Sequence, residues 1–340
     1  MRFKIFLLIP LLLSSFILGC TKKEGTVEGK KKKEIWVYTS IYENVIDQLN
    51  PILKRELPDI EVKWFAAGSE KVLAKVNAEI AADQLKADLI MTSDPFWYEK
   101  LARDGLLLAY DSPAIKGISP DFKNRDNLWV TVRIPVMVIS YNKDVITDNN
   151  APKSFKELAD PKWKGKVALG SPLESGTNFT AVANLSKKYG WDYFKELRKN
   201  DTFSSGGNST VRQKMESKEY PIGVILLENI LQAQKGGSPI RAVYPVDGAV
   251  LVPSPIAIFK RTKEPEAAKK FYDFMFSQAG QYAITTGNMY SPVPDFPPPE
   301  GARPFAEVLA NAFPFNQKFV DDVLREHDEI KKKYSQIMFE

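Results

Sequence analysis

Between residues 34 and 105 the hydrophobic positions switch repeatedly between a strand rhythm and a helix rhythm. Glu34–Tyr38 carries Ile-Trp-Val-Tyr, a β-rich run that stops at Thr39-Ser40. Val45, Leu49, Ile52, Leu53 and Leu57 then recur at helical spacing, with Pro51 expected to kink the helix. A second strand over Ile60–Phe65 ends at Gly68, and Ser69 is placed to cap a helix carrying Val72, Leu73, Val76 and Ile80. A third strand, Ala87–Met91, runs into Thr92-Ser93-Asp94-Pro95, where Asp94 can cap and Pro95 can fill the first helical turn. That helix ends at Gly105. Three strand–helix units in succession predict a parallel sheet covered on both faces.

Val130–Tyr141 is a long β-rich segment broken by Pro135, and Ala249–Phe259 is another, broken by Pro253 and Pro255. Two such segments can carry the chain from one lobe to a second and back. Between them, Asn149–Pro152 reads as a turn. Val167–Leu169 is a strand, followed by Ser175-Gly176-Thr177, which opens a helix running to Gly190. Ser204–Thr210 is a polar loop leading into a helix, with Thr210 and Gln213 at capping-box spacing. Gly223–Leu227 is an apolar strand ending at Glu228-Asn229. Val320, Val323, Leu324, Ile330, Tyr334 and Ile337 mark an amphipathic C-terminal helix, with His327, the sole histidine, on or beside its apolar stripe as a packing or surface residue.

The first twenty residues change the picture. Arg2 and Lys4 precede an apolar run from Ile5 to Leu13, and the stretch closes on Ile17-Leu18-Gly19-Cys20. This is a secretory leader with a lipobox-like end, too short for a comfortable membrane span. Cys20 is the only cysteine and so has no internal disulfide partner. The expectation is a bacterial lipoprotein: residues 1–19 removed, Cys20 lipidated, and acyl chains holding the chain to a membrane. Residues 20–33 are a Gly/Glu/Lys-rich tether. Lys30-Lys31-Lys32-Lys33 at its end is a solvated linker or adds attraction to anionic headgroups. The expected location is the periplasmic or extracytoplasmic face of a cell membrane. The formal charge of +5 falls to about +3 once Arg2 and Lys4 leave, which does not argue for nucleic acid. A remaining chain of roughly 320 residues calls for two lobes.

The catalytic templates fail together. There is no Gly-x-Ser-x-Gly, no His-Glu-x-x-His and no Walker loop, and a zinc site would need His or Cys clusters that are absent. Paired carboxylates stay open, because no spacing rule selects two among 42 acidic residues. A non-enzyme without cofactor is the better fit. What does recur is Ser/Thr/Gly/Asn-rich loops that follow strands and open helices: Thr39-Ser40, Thr92-Ser93-Asp94, Ser175-Gly176-Thr177 and Asn208-Ser209-Thr210. Each is explained by helix capping. Four together also suit an anion at helix N-termini, outside the carboxyl ends of strands.

Three segments carry a resemblance: Ala87-Asp88-Leu89-Ile90 with Asp104-Gly105-Leu106-Leu107; Asp160-Pro161-Lys162-Trp163-Lys164-Gly165-Lys166-Val167 with Ser175-Gly176-Thr177; and Glu266-Ala267-Ala268-Lys269-Lys270-Phe271 with Ser277-Gln278-Ala279-Gly280-Gln281. Their order and spacing resemble the type II periplasmic solute-binding proteins of ABC importers, in the group of ferric-iron, thiamine, phosphonate and hexose-phosphate binders. The resemblance implies an α/β fold of two lobes, each a mixed sheet flanked by helices, with lobe one at 34–132 and 249–340 and lobe two at 133–248. It implies a monomer that encloses a small anionic solute between the lobes and hands it to an ABC permease driven by its ATPase. Carried over by position, Thr39 and Ser40, Ser93, and Ser175, Gly176 and Thr177 fall on ligand loops, and Asn208, Ser209 and Glu228 on further contacts. Iron-binding members place paired tyrosines just past the strand read here as Gly223–Leu227. This chain has Leu226-Leu227-Glu228-Asn229 there, and leucines offer ferric iron no oxygen donor. Tyr42 and Tyr290 could supply phenolates or serve as cleft wall and core. The expected solute is therefore a phosphorylated sugar or phosphonate, with Glu228 accepting from sugar hydroxyls or acting as a first-turn helix carboxylate. A ferric-iron importer component is the first alternative; a lipid-anchored enzyme, adhesin or sensor is the second.

Overall fold

The computed structural model describes residues 32–340, so the leader, Cys20 and most of the tether lie outside the described residues. In chain order the first lobe begins with β1 (Lys33–Thr39), α1 (Glu43–Glu56), β2 (Ile60–Ala66), α2 (Ser69–Ala81), β3 (Leu89–Met91), α3 (Pro95–Arg103) and β4 (Val130–Arg133). The second holds β5 (Val136–Asn142), β6 (Val167–Leu169), α4 (Gly176–Tyr189), α5 (Trp191–Lys199), β7 (Phe203–Ser204), α6 (Asn208–Glu216), β8 (Ile222–Leu226), α7 (Leu227–Lys235), β9 (Ile240–Val243) and β10 (Val250–Leu251). The chain then returns through β11 (Ser254–Ile258), α8 (Pro265–Phe276), α9 (Gln278–Thr286), α10 (Phe305–Ala310) and α11 (Gln317–Phe339). Among the described residues no helix is long and apolar enough to cross a membrane.

The first sheet has the order β2-β1-β3-β11-β4. β1 runs parallel to both β2 and β3, as the strand–helix alternation predicts. The sheet as a whole is not parallel, because β11 returns from the second lobe and inserts antiparallel between β3 and β4. The second sheet, β10-β5-β8-β6-β7 with β9 also on β5, is mixed as well. In β1, Ile35 and Val37 pack into one buried cluster while Tyr38 packs into another on the opposite face, so the strand is covered on both sides.

Two crossings join the lobes. The chain leaves the first sheet after Arg133 through Ile134-Pro135, and re-enters it through Val252-Pro253. Proline cannot donate to a ladder, which is why both strands break at these points. The crossings are themselves paired: the Val252 N–H donates to the Pro135 carbonyl at 2.9 Å. Two caps differ from the sequence reading. Ser69 is the first helical residue of α2 rather than its cap; its Oγ accepts from the Ser93 N–H at 3.3 Å instead. Gly207 caps α6, leaving Thr210 inside the first turn. Asp94 does cap α3, accepting from the Phe96 and Trp97 amides.

Gly280 tests the packing of the return segment. A Cβ there would lie 2.2 Å from the Phe274 carbonyl oxygen and 2.9 Å from Met275 Cα, both backbone atoms that cannot swing aside. Gly280→Ala is expected to cost about 2–3 kcal/mol, read as a lowered midpoint in urea unfolding followed by circular dichroism.

Candidate functional site

The carboxyl ends of the strands in both sheets open onto a cavity of about 700 Å³. Ser40, Ser93, Ser175, Thr177, Asn208, Ser209 and Glu228 all line it, so seven of the nine ligand positions expected from the sequence are brought together. The other two stand behind the wall. Thr39 is fully buried; its Oγ1 donates to the Met91 carbonyl at 2.9 Å and accepts from the Ile41 N–H, which ties β1 to β3 and aims Ser40 outward. Gly176 is where the lobes touch: a Cβ there would lie 2.9 Å from the Ser93 carbonyl oxygen and 3.3 Å from Ser69 Cβ.

The lining is made largely of helix starts. The first turns of α1, α2, α4, α6 and α7 contribute Tyr42, Ser69, Thr177, Asn208 and Glu228 respectively or their immediate neighbours. Each carries backbone N–H groups without intrahelical acceptors and a partial positive charge. In the second lobe these turns are stitched together: Ser175 Oγ lies 3.0 Å from Thr177 Oγ1, and Asn208 Nδ2 donates to the same Thr177 oxygen at 2.8 Å. Asn208 Oδ1 has no hydrogen-bond partner among the described residues.

Arg133 is the functional candidate that sequence reasoning missed. It ends β4 at the cavity floor and is only 2% exposed. Its Nη2 donates to Ser93 Oγ at 2.9 Å and Ser40 Oγ at 3.1 Å, its Nη1 approaches Met289 Sδ at 3.2 Å, and its Nε has no partner among the described residues. All of these partners are neutral. Burial lowers its pKa, and the Glu228 charge acts in the opposite direction. The available signal was a lone charge in the apolar run Val130–Val138.

Glu228, the second residue of α7, is 3% exposed and its Oε2 has no partner among the described residues. Burial pushes its pKa up to about 7, with the Arg133 charge only partly offsetting that. Tyr42 donates to Asn229 Oδ1 at 3.3 Å, a second contact between the lobes. Burial and then the Glu228 charge push the Tyr42 phenol up to about 12. Leu226, the last residue of β8, and Leu227, the first of α7, are both 2% exposed and offer no oxygen donor from their side chains. Tyr290 donates to the Arg303 carbonyl at 2.7 Å and does not line the cavity. Among the described residues no group of three His, Cys, Asp or Glu side chains is arranged to hold a metal ion. The cavity wall combines hydroxyls and helix-start N–H donors with the Arg133 guanidinium and the Glu228 carboxyl, whose charges act on one another.

Comparison with known proteins follows the same lines. Residues 84–319 match the family model described as "Bacterial extracellular solute-binding protein". The chain is 25% identical over 281 residues to Iron uptake protein A1 of Synechocystis sp. (strain ATCC 27184 / PCC 6803 / Kazusa), covering 77% of this chain and 76% of that protein. Iron-bound HitA from Pseudomonas aeruginosa superimposes with a TM-score of 0.78 at 22% identity, over 89% of this chain and 99% of that one. The periplasmic binding protein AfuA from Actinobacillus pleuropneumoniae, with fructose-6-phosphate bound, gives a TM-score of 0.78 at 23% identity, over 91% of this chain and 99% of that one. The two-lobed fold expected from the sequence is the fold these proteins share.

Glu228 makes stability depend on pH in a specific direction. Its folded pKa of about 7 lies above the ordinary 4.5, so the folded state holds the proton more tightly. Its contribution is fully present below pH 4.5 and is lost as the pH rises through 7, reaching a penalty of about 3 kcal/mol above that. Glu228→Gln should therefore stabilise the ligand-free protein at pH 8 and leave it nearly unchanged at pH 4.5, as measured by urea unfolding at both pH values.

Proposed function

We propose that this chain, which belongs to the bacterial extracellular solute-binding protein family, captures a small phosphorylated or phosphonate-bearing metabolite, with a hexose phosphate as the leading candidate. It delivers that solute to an ABC permease as a monomer anchored to the membrane through Cys20. The observation that carries the reading is the Arg133 guanidinium, buried at the cavity floor with only neutral hydrogen-bond partners. Burying an ion whose direct hydrogen-bond partners are all neutral costs several kcal/mol, and an anion in the cavity offsets that cost. The surrounding hydroxyls and helix starts suit the oxygens of a tetrahedral anion. Glu228 repels a phosphate but accepts from a sugar hydroxyl, which assigns it to the far end of the ligand.

Ferric iron fits the lining less well. Tyr42 is the one tyrosine on the cavity wall, its phenol is held protonated by burial, and Leu226 offers no donor. The iron in the names of some relatives describes those proteins.

Calorimetry against glucose 6-phosphate, fructose 6-phosphate, inorganic phosphate and ferric citrate tests the assignment. Arg133→Met should weaken every phosphorylated ligand by about 100-fold or more, the scale of a lost charge-assisted contact. Ser175→Ala and Thr177→Val should weaken all of them alike by about 5–10-fold each. Glu228→Ala should mainly blur the difference between the two sugars. Tight ferric binding without response to any phosphorylated compound would sink the proposal. The anchor is tested separately: Cys20→Ser should abolish incorporation of a labelled fatty acid, and undiminished label would defeat lipidation at that residue.

A further inference from the structure

The two crossing strands are not the sole tie between the lobes, because α11 grips both. Towards the first lobe, Gln317 donates to Glu99 Oε1 at 3.2 Å, Arg103 pairs with Asp321 at 2.7 Å, and Lys331 Nζ reaches both Glu70 oxygens at 3.2 Å. Towards the second, Lys187 pairs with Glu326 at 2.7 Å, the Tyr334 hydroxyl lies 2.7 Å from Ser204 Oγ, and the Tyr334 ring packs on Phe194.

His327 and Lys331, one helical turn apart, converge on a single ring. The His327 ring meets Phe179 at a tilt of 51° with centroids 4.4 Å apart, and Lys331 Nζ lies 5.3 Å from the centroid of the same ring. Phe179 is in the first turn of α4, two residues beyond Thr177 on the cavity wall, and Phe96 of α3 meets its other side edge-on at 5.6 Å. The acidic counterparts belong to the first lobe. Glu70 lines the cavity at the start of α2, and Asp94 is buried at the start of α3 with Oδ2 unpartnered. Burial raises the pKa of both, while Lys331 and His327 act against that rise. This cluster surrounds the point where Gly176 meets Ser93.

We propose that Lys331 and His327 are positioning residues that fasten the first turn of α4 to the start of α2 and so hold the lobes closed around the ligand. Neither residue lines the cavity, so they act through Glu70 and Phe179. Lys331 has a second consequence: it neutralises the Glu70 carboxylate, which otherwise faces an anion at short range. The inference rests on the reading of the cavity as a solute site, but its main readout needs no solute.

Small-angle scattering of the ligand-free protein tests it. Lys331→Met should increase the radius of gyration, Lys331→Arg should leave it at the wild-type value, and Glu70→Gln, which breaks the same pair at its α2 end, should reproduce the increase. His327→Phe, which keeps a ring against Phe179, should behave as wild type, and His327→Ala should open the protein. In stopped flow with glucose 6-phosphate as probe, Lys331→Met should speed release by about 10-fold with little change in the association rate, as expected when a closed state is lost. Unchanged scattering in folded Lys331→Met or Glu70→Gln would overturn the proposal. So would slowed association with unchanged release, which marks a purely electrostatic effect of Glu70. If Lys331→Met does not fold, Glu70→Gln decides. If the wild type does not bind glucose 6-phosphate, the ligand assignment fails and scattering alone decides the latch.

Discussion

A guanidinium 2% exposed and hydrogen-bonded only to neutral atoms is the constraint on which the rest of the site depends. A charge in that position is tolerable only where hydroxyls, oriented dipoles and a ligand can share it. Three serines gather for this purpose. Ser40 and Ser93 accept from Arg133 directly, and Ser254 donates to Ser93 Oγ at 2.9 Å. Ser40 and Ser93 follow β1 and β3 and Ser254 opens β11, so the insertion of the return strand between β3 and β4 is what completes the shell around the charge. Arg133 also stands one residue before the crossing at Ile134-Pro135, which places the charge at the floor shared by both lobes.

The topology explains why so many helix starts meet there. α1, α2, α4, α6 and α7 each follow a strand closely: β1, β2, β6, β7 and β8 respectively. Strands that run parallel within a sheet release their helices at the same end. The antiparallel strands, β11 in one sheet and β5 in the other, carry the crossings instead. Each sheet is therefore divided between strands that present helix starts to the cavity and strands that connect the lobes. Pro135 and Pro253 interrupt the latter class, where a break in the ladder leaves room for rotation without undoing the cavity wall.

What the sequence made legible was local. Ser/Thr/Gly/Asn loops after apolar runs are visible in a short window, which is why Ser40, Ser93, Ser175, Thr177, Asn208, Ser209 and Glu228 are legible from the sequence, and all fall on one cavity wall. Thr39 and Gly176 carry the same local signature, but their role depends on contacts with β3 and with Ser93. Arg133 was missed for the same reason in reverse. Locally it is one residue of a strand, and only the pairing of β4 with β11, more than a hundred residues later, turns it towards the cavity. Likewise Ser69 has the right identity for a cap, yet the tertiary contact with the Ser93 amide claims its oxygen. The amphipathic stripe of α11 correctly gave Val320, Val323, Ile330 and Tyr334 as buried. It could not show that His327 and Lys331 reach a phenylalanine and a glutamate from different lobes.

Charge also gives the lobes a reason to respond to a solute. Each helix start carries roughly half a positive elementary charge when the helix is several turns long. The first lobe brings the starts of α1 and α2 and the full charge of Arg133; the second brings α4, α6 and α7. Drawn together around solvent alone, these groups oppose one another, a repulsion that the contacts of α11 with both lobes counter, and each approach strips water from unsatisfied N–H donors. An anion between them reverses the sign of the interaction on both sides at once. It becomes the partner that neither lobe supplies, and its contribution to closure grows as water leaves and the local dielectric falls. Glu228 bounds the region where this holds, because a carboxyl with a pKa of about 7 is a poor neighbour for negative charge and a good one for a hydroxyl. The cavity wall therefore carries a cation and a carboxyl within electrostatic reach of one another, so its lining offers donors to negative charge and an acceptor to hydroxyls.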